Sequence, residues 1–149
     1  MYRNILIAVD GSESSKRALQ QAVHIANAGY EKMTAVYVLD RSAMFMYAAN
    51  SNQFAFVDTL RHDGERVLAD AQAVMTQHGL KCNVEMPETD NISECVADCL
   101  LRCAQRHGAD LVVMGTHGRC GVRRMITGSV AERFLRFSCC PVLLVREGQ

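Results

Sequence analysis

Short buried β-type runs alternate with helical segments along this chain, and that alternation restricts its fold more than any other feature. Residues 4 to 9 form a continuous apolar, β-branched run that stops at Asp10-Gly11-Ser12. This pattern is typical of a strand buried on both faces. Similar runs predict four further strands, near residues 33 to 38, 82 to 86, 111 to 114 and 142 to 145.

Apolar residues at helical spacing fill most of the intervals between these runs. Ser12 is a residue type that caps helices, and it precedes a helix predicted over 13 to 28 with Gly29 as its stop. The stretch from 41 to 57 mixes Met, Phe, Tyr, Asn and Ala without a clean period, which predicts a long, partly mobile loop. Three more helices are predicted: from about 60 to His78-Gly79, from 91 to 107 before Gly108, and from 129 to 137.

The resulting order is β-α-β-α-β-α-β-α-β. Strands separated by helices are joined by right-handed crossovers, so we expect a parallel α/β sheet of five strands with helices on both faces. The expected fold is Rossmann-like with strand order 3-2-1-4-5. No repeat or linker marks a boundary, so residues 1 to 149 are predicted to form one domain.

Composition narrows the function classes. Sixteen basic and sixteen acidic residues give zero net charge, which disfavours nucleic acid or an anionic membrane as the main partner. No apolar run approaches the roughly 18 residues of a membrane span, and the run ended by Asp10 is too short for a signal-peptide core. Seven cysteines, an odd number, fit thiols in a reducing compartment. We therefore expect a soluble, cytoplasmic protein.

Two polar, glycine-containing exits from apolar strands define a candidate site. Asp10-Gly11-Ser12 follows the first strand, and Gly115-Thr116-His117-Gly118 follows the fourth. Ligands bind parallel sheets at the carboxyl ends of strands, where the winding reverses. If these two strands are neighbours, the loops face each other.

The second loop has the composition of an anion-binding loop. Glycines at 115, 118, 121 and 128 allow backbone N–H groups to converge on phosphate oxygens beside a helix N-terminus. Neither a Walker A nor a Gly-x-Gly-x-x-Gly motif is present, and an ordinary glycine-rich turn is the alternative. Residues 115 to 136 carry five arginines against Glu132, a net charge of +4, although any single arginine is more often a solvated surface charge.

Nine residues separate Gly115-x-x-Gly118 from Gly128-Ser129, and Val-Ala-Glu-Arg-Phe-Leu-Arg and Cys-Pro-Val-Leu-Leu-Val follow. This pattern resembles the nucleotide-binding signature and the C-terminus of the universal stress protein family. The opening Ile-Leu-Ile-Ala-Val-Asp-Gly-Ser-Glu-Ser-Ser resembles the family's first strand and turn. This resemblance implies an adenine-nucleotide-binding domain, usually a dimer, linked to stress survival. The nine-residue gap marks members that bind ATP.

The resemblance also assigns roles to individual residues. Asp10 would lie near the ribose or a phosphate-bound Mg²⁺. The other implied contacts are Ala8 and Val9 beside the base, Val38 in the adenine pocket, Met114 and Gly115 beneath the ribose, and Gly118, Arg119, Gly128, Ser129 and Val130 at the phosphates.

Each role has a structural alternative. Asp10 could accept N–H bonds in an Asx-type turn, and Ser129 could be only a helix cap. His117 has no evident partner that would make it a base, so no catalytic residue is assigned and at most slow ATP hydrolysis is expected. We therefore expect a nucleotide-occupancy switch read by an unidentified protein partner. The alternatives are a slow ATP-hydrolysing or adenylating enzyme and a nucleotide-free dimeric interaction module.

Two further expectations concern assembly and the loop from 41 to 57. The strand at 142 to 145 is expected at a sheet edge, where unpaired backbone groups favour a homodimer through that strand. The loop follows Val38 at the predicted adenine end, so it could fold over the nucleotide as a lid.

The cysteines are expected to be mostly structural. Cys95, Cys99, Cys103 and His107 recur every four residues, but the helix that carries them extends about 18 Å, too far for all four to bind one ion. Core packing is the favoured interpretation, and the adjacent Cys139 and Cys140 are also taken as structural. Cys120, in the glycine-rich loop near arginines, is the one candidate for redox sensitivity.

Overall fold

A computed structural model describes residues 2–26, 32–42, 53–91, 93–118 and 127–148. The described residues form five strands and four helices that alternate along the chain, in the predicted order. In sequence these are β1 (Asn4–Ala8), α1 (Glu13–Ile25), β2 (Lys32–Val36), α2 (Gln53–Gln77), β3 (Cys82–Glu85), α3 (Val96–His107), β4 (Leu111–Gly115), α4 (Ser129–Phe137) and β5 (Val142–Val145).

The five strands form one sheet with the order β3-β2-β1-β4-β5, and every neighbouring pair is parallel. This confirms the predicted fold class and strand order. In the register Ile7 pairs with Ala35 of β2 and with Val113 of β4. The chain winds outward in opposite directions from β1 and β4, so the switch point lies between these two strands.

Side chains of β1 alternate between two apolar layers, as expected for a central strand. Ile5 and Ile7 pack on one face with α1 and α2, while Leu6 packs on the other with α3 and α4. The helices contribute small and branched residues to these layers. On the first face these are Ala18, Leu19, Ala22, Leu68, Ala71 and Met75, and on the second they are Ala97, Cys99, Leu100, Cys103, Ala131 and Phe134.

The predicted caps of α1, α2 and α3 are largely confirmed. The Ser12 hydroxyl accepts a hydrogen bond from the Ser15 N–H at 3.2 Å, which caps α1. Gly79 and Gly108 adopt positive φ angles of 72° and 58° just after α2 and α3, where a left-handed residue ends the helix. Gly29, the predicted stop of α1, lies outside the described residues, and α1 ends at Ile25.

The prediction that the loop after β2 extends to residue 57 is wrong, because α2 already begins at Gln53. No Pro interrupts 53 to 57, so the helix that contains Leu60 and Leu68 can extend backwards through them. Residues 43 to 52, the rest of that predicted lid, lie outside the described ones.

The predicted start of α3 at residue 91 is also wrong. The Asn91 carboxamide oxygen accepts hydrogen bonds from the N–H groups of Ser93 and Glu94, both at 2.9 Å. This Asx turn competes with helical hydrogen bonding, so the helix begins five residues later at Val96.

Gly64 explains how α2 lies so close to the sheet. A Cβ at this position would lie 2.6 Å from the Met86 Sδ and 2.8 Å from the Tyr37 ring. Glycine thus fits where any side chain would push α2 away from the ends of β2 and β3. Within the described ranges, no helix is both long enough and apolar enough to span a lipid bilayer.

Candidate functional site

The loops after β1 and β4 meet at the carboxyl edge of the sheet, as the sequence predicts. β1 and β4 are hydrogen-bonded neighbours, so Asp10 and the segment 115 to 118 emerge side by side. A Cβ on Gly118 would lie only 2.9 Å from the Asp10 Oδ2. The two loops therefore form the walls of one narrow crevice.

Asp10 uses its two carboxylate oxygens differently. Oδ1 accepts the Ser12 N–H at 2.9 Å, and Gly11 between them has a φ of 82°. This is the Asx-type turn that the sequence offered as one interpretation. Oδ2 faces Gly118 across the crevice. The turn therefore fixes the carboxylate while leaving one oxygen directed at the second loop, where a cation or a ribose hydroxyl could bind it.

The first turn of α1 holds the second loop from beneath. The carbonyl oxygen of His117 accepts hydrogen bonds from the hydroxyls of Ser14 and Ser12, the latter at 3.3 Å. Ser14 is only 2% exposed. These contacts connect residues about 100 positions apart in sequence, and the sequence analysis did not identify Ser14. The run of three serines at 12, 14 and 15 was the available signal.

Thr116 closes the base of the glycine-rich loop. Its carbonyl accepts the Gly128 N–H at 2.6 Å, and its own N–H donates to the Val145 carbonyl at 2.9 Å. A Cβ on Gly128 would lie 2.9 Å from the Thr116 oxygen. The start of α4 is thus pinned beside the end of β4. Arg119 and the other residues from 119 to 126 lie outside the described part of the chain.

The amino end of α4 contributes backbone donors next to this closure. Gly128 is the N-cap residue and makes no side-chain cap, so Ser129 is the first helical residue and the interpretation of Ser129 as the cap is wrong. The N–H groups of the first turn have no acceptors within the helix, and the helix dipole adds partial positive charge there. This end of α4 can therefore attract an anion.

An apolar surface adjoins the polar loops. Ala8, Val38, Met114 and Val130 all pack on the core layer shared with α3 and α4. Met114 is buried, while the other three are partly exposed. Ala8 and Val38, the two of these that the resemblance assigns to the base, thus share one face of the sheet.

Val9 differs from the rest of the predicted set. Its side chain is 6% exposed and packs on the opposite layer, with α1 and α2. Its N–H donates to the Val36 carbonyl at 2.9 Å, which continues the β1–β2 pairing. Any contribution of Val9 to the crevice is therefore limited to its backbone.

Two of the five arginines counted toward an anion site are engaged elsewhere. Arg133 donates to Asp98 at 2.9 Å, and Arg136 donates to Glu132 at 3.1 Å. The hydrogen bonds from Arg133 keep the pKa of the Asp98 carboxyl below its ordinary value. Neither of these two arginines is therefore available to supply positive charge at the crevice.

The cysteine stripe of α3 packs in the core, as predicted. Cys99 and Cys103 are fully buried in the layer beneath β1 and β4. Cys95 is half-buried and donates to Asp98 at 3.1 Å, while His107 contacts Glu85 at 2.6 Å. Cys139 is exposed and Cys140 half-buried, and Cys120 lies outside the described residues.

Comparison with known proteins identifies the family. The sequence model of the universal stress protein family matches residues 1–146. A universal stress protein from Methanocaldococcus jannaschii is 33% identical over 147 residues, which cover 99% of this chain and 84% of that protein.

Solved structures agree with this match. The crystal structure of a universal stress family protein from Burkholderia pseudomallei is 40% identical, with a TM-score of 0.76 over 97% of this chain and 96% of that one. A family protein from Arabidopsis thaliana, crystallised with AMP bound, is 16% identical with a TM-score of 0.70, over 98% and 92% of the two chains. This chain belongs to the universal stress protein family.

Proposed function

We propose that this protein binds ATP, with Mg²⁺, in the crevice between the loops after β1 and β4. The observation that carries the proposal is the placement of Gly118 against the Asp10 carboxylate at the switch point of the sheet. Ligands of parallel α/β sheets bind at this position. The absence of a side chain at Gly118 leaves its backbone N–H open to a phosphate oxygen.

The crevice has two chemically different parts, as an adenine nucleotide does. The partly exposed side chains of Ala8 and Val38 offer apolar contact to a base. The free N–H groups at the start of α4 and the Gly118 backbone offer donors to phosphate oxygens. Met114 and Gly115 end β4 and, by the family resemblance, would pass beneath the ribose.

Asp10 fits a divalent cation held by the phosphates. Mg²⁺ prefers oxygen ligands and usually takes one or two carboxylates together with phosphate oxygens and water. The Asp10 Oδ2 is directed across the crevice, whereas Oδ1 is committed to the Ser12 N–H. One carboxylate oxygen is therefore available to such an ion, directly or through water.

The relatives support an adenine nucleotide as the ligand class. The Arabidopsis protein with the same fold was crystallised with AMP. In this chain the glycine spacing that the sequence analysis associates with ATP-binding members is complete, from Gly115 to Ser129. AMP and ATP share the base, the ribose and the first phosphate, so one crevice geometry can serve both.

Nucleotide occupancy, not a chemical product, is the proposed signal in the stress response, read by a protein partner. Hydrolysis requires a positioned water and a base to orient it. His117 Nδ1 contacts the Thr116 hydroxyl at 2.9 Å, and Asp10 Oδ1 is held in its turn. Neither of these two contacts pairs a histidine with a carboxylate that would orient it as a base, which favours retention of ATP over turnover.

Native mass spectrometry of freshly purified protein separates this proposal from its rivals. Retained ATP, one per chain, is the expected result. Retained ADP or an adenylate would favour the enzyme, and a protein that carries no nucleotide and takes up none on addition of ATP would favour the interaction module. The spectrum after overnight incubation with ATP and Mg²⁺ gives the same distinction for protein that loses its ligand during purification.

A further inference from the structure

A buried serine on α1 makes a side-chain contact with the loop after β4. Ser14, in the first turn of α1, is 2% exposed and donates its hydroxyl proton to the His117 carbonyl. A Cβ on Gly115 would lie 2.8 Å from the Ser14 Cβ and 2.9 Å from its carbonyl carbon. The missing side chain at Gly115 is therefore what allows α1 to approach β4 closely enough for this hydrogen bond.

This hydrogen bond determines the direction of a neighbouring donor. In a trans peptide the C=O of one residue and the N–H of the next point in opposite directions. Because the His117 C=O points toward α1, the Gly118 N–H points away from α1. Since α1 covers one face of the sheet, that direction is toward the face that carries α4 and the apolar residues of the crevice. No described residue accepts a hydrogen bond from the Gly118 N–H.

We infer that Ser14 is a positioning residue for phosphate binding: it fixes the His117–Gly118 peptide so that the Gly118 N–H is aimed at a phosphate of the bound nucleotide. This inference rests on the proposed function. A donor oriented before binding costs no reorganisation when the anion arrives, so it contributes more affinity than one that must rotate into place. The role is indirect, because the Ser14 hydroxyl donates its proton to the His117 carbonyl and does not contact the ligand.

Other contacts already hold the loop base, so the role of Ser14 is separable from folding. Thr116 is connected to Gly128 at 2.6 Å and to Val145 at 2.9 Å. The Ser12 hydroxyl, at 3.3 Å from the same His117 oxygen, provides a longer second contact. Removing the Ser14 hydroxyl should therefore free the 117–118 peptide to rotate without opening the loop.

The test compares ATP with adenosine, which has the same base and ribose but no phosphate. Isothermal titration gives the ratio of the adenosine to the ATP dissociation constant for wild type, Ser14→Ala and Ser138→Ala. Ser138 also donates a hydrogen bond to a carbonyl, that of Cys140, at 2.9 Å. It precedes β5 and so lies at the amino ends of the strands, whereas the crevice lies at their carboxyl ends. We expect the ratio to fall about three- to tenfold in Ser14→Ala, the effect of one hydrogen bond, and to stay at the wild-type value in Ser138→Ala.

A second variant guards against an unfolded Ser14→Ala protein. Ser14→Cys keeps a side chain of similar shape but replaces the hydroxyl with a weaker donor, so it should lower the ratio in the same direction. A wild-type ratio in a folded Ser14→Ala protein that binds ATP would overturn this inference alone. Equal affinities for ATP and adenosine in wild type would overturn the proposed function as well.

Discussion

At the scale of single residues, the crevice is built from short side chains and backbone groups. Asp10 is fixed by a turn, His117 is held through its carbonyl, and Gly118 fits only because it lacks a side chain. Such groups have few rotatable bonds, so little conformational entropy is lost when a ligand binds. A nucleotide bound as we propose would therefore have to order few of these groups.

Asp10→Asn should remove the benefit of Mg²⁺ for ATP binding. The Asn side chain can keep the oxygen that accepts the Ser12 N–H, so the turn survives, but the charge that faces Gly118 is lost. Titrations with Mg²⁺ and with EDTA should show that the metal strengthens ATP binding about tenfold in wild type, typical of one charge-assisted contact, and has little effect in the variant. An equal Mg²⁺ effect in both proteins would contradict the assignment of Asp10.

Residue type and spacing predicted some of these residues and missed others. Asp10, Gly118 and Gly128 could be identified because a carboxylate at a strand exit and glycines before a helix are chemically unusual. Ser14 and Thr116 could not, since both make their contacts with backbone carbonyls brought close by the parallel sheet. Local sequence does not encode which carbonyl a buried hydroxyl will meet.

At the scale of elements, helical and strand periods located every strand and helix but not every boundary. Apolar residues fix the middle of an element, because that is where it packs on the sheet. The ends depend on local competition, as at Asn91, whose side chain replaces helical hydrogen bonds with a turn. At Gln53 the helix begins seven residues before Leu60, the first residue of the apolar period that predicted it.

Glu85 on β3 connects an edge strand to the carboxyl end of α3. It lies 2.6 Å from His107 Nε2 and is also paired with Arg106. Burial opposes ionisation of this carboxyl, but the hydrogen bond from His107 and the charge of Arg106 outweigh it and lower its pKa below the ordinary 4.5. A lowered carboxyl pKa contributes stability that is present above pH 4.5 and is lost as the pH falls through the folded-state value.

Glu85→Gln should therefore destabilise the protein by about 0.5 to 1 kcal/mol at pH 7, the range of a partly exposed ion pair. The difference in unfolding free energy between Glu85→Gln and wild type should shrink as the pH falls below 4.5. Urea unfolding at several pH values measures it, with Glu132→Gln, which removes an exposed partner of Arg136, as the control. A loss of unfolding free energy in Glu85→Gln that grows as the pH falls would contradict a lowered pKa of Glu85.

β5 is the last strand of the sheet that the described residues form, which favours the predicted homodimer through this strand. The carbonyls of Pro141 and Val145 accept hydrogen bonds from β4. The backbone N–H and C=O groups of successive strand residues point to alternate sides, so those of Leu143 also face β4. The backbone groups of Val142 and Leu144 then point to the free edge, where another copy could pair with them.

This alternation predicts different effects for two proline variants. Leu144→Pro removes a donor at the free edge and should convert a dimer to a folded monomer at micromolar concentration. Leu143→Pro removes a donor to β4 and should lower the thermal unfolding temperature instead. Sedimentation velocity and circular dichroism measure both. A monomeric wild type, or a Leu144→Pro protein that stays dimeric, would exclude pairing through this edge.

At the scale of the whole molecule, the parallel sheet brings together segments that are far apart in sequence. Residues 8 to 14, 114 to 118 and 128 to 130 meet at one edge because β1 and β4 are adjacent. The β-α alternation and the handedness of crossovers predict a parallel sheet with its ligand site at the carboxyl ends of the strands, whereas the adjacency of β1 and β4 does not follow from them. The contacts across the site follow from the packing of the whole chain, so they could not be predicted from the sequence.

The arrangement predicts that ATP is held far longer than it is hydrolysed. Single-turnover hydrolysis with ATP and Mg²⁺ should be much slower than about 1 per second, the lower end of ordinary enzymes. The Gly118→Val protein, prepared in parallel, gives the background from contaminating ATPases. Turnover at 1 per second or faster, absent from that variant, would assign the protein to the enzymes.

The most direct test of the account is the equilibrium binding of ATP to wild type and to Gly118→Val. The first side-chain carbon added at residue 118 would lie 2.9 Å from the Asp10 carboxylate, so the branched valine would fill the crevice between the two loops. We predict one ATP per chain in wild type and at least about a tenfold loss of affinity in the variant, with an unchanged circular dichroism spectrum. Wild-type affinity in the folded variant, or no ATP binding by the wild-type protein, would contradict the assignment of this crevice as the nucleotide site.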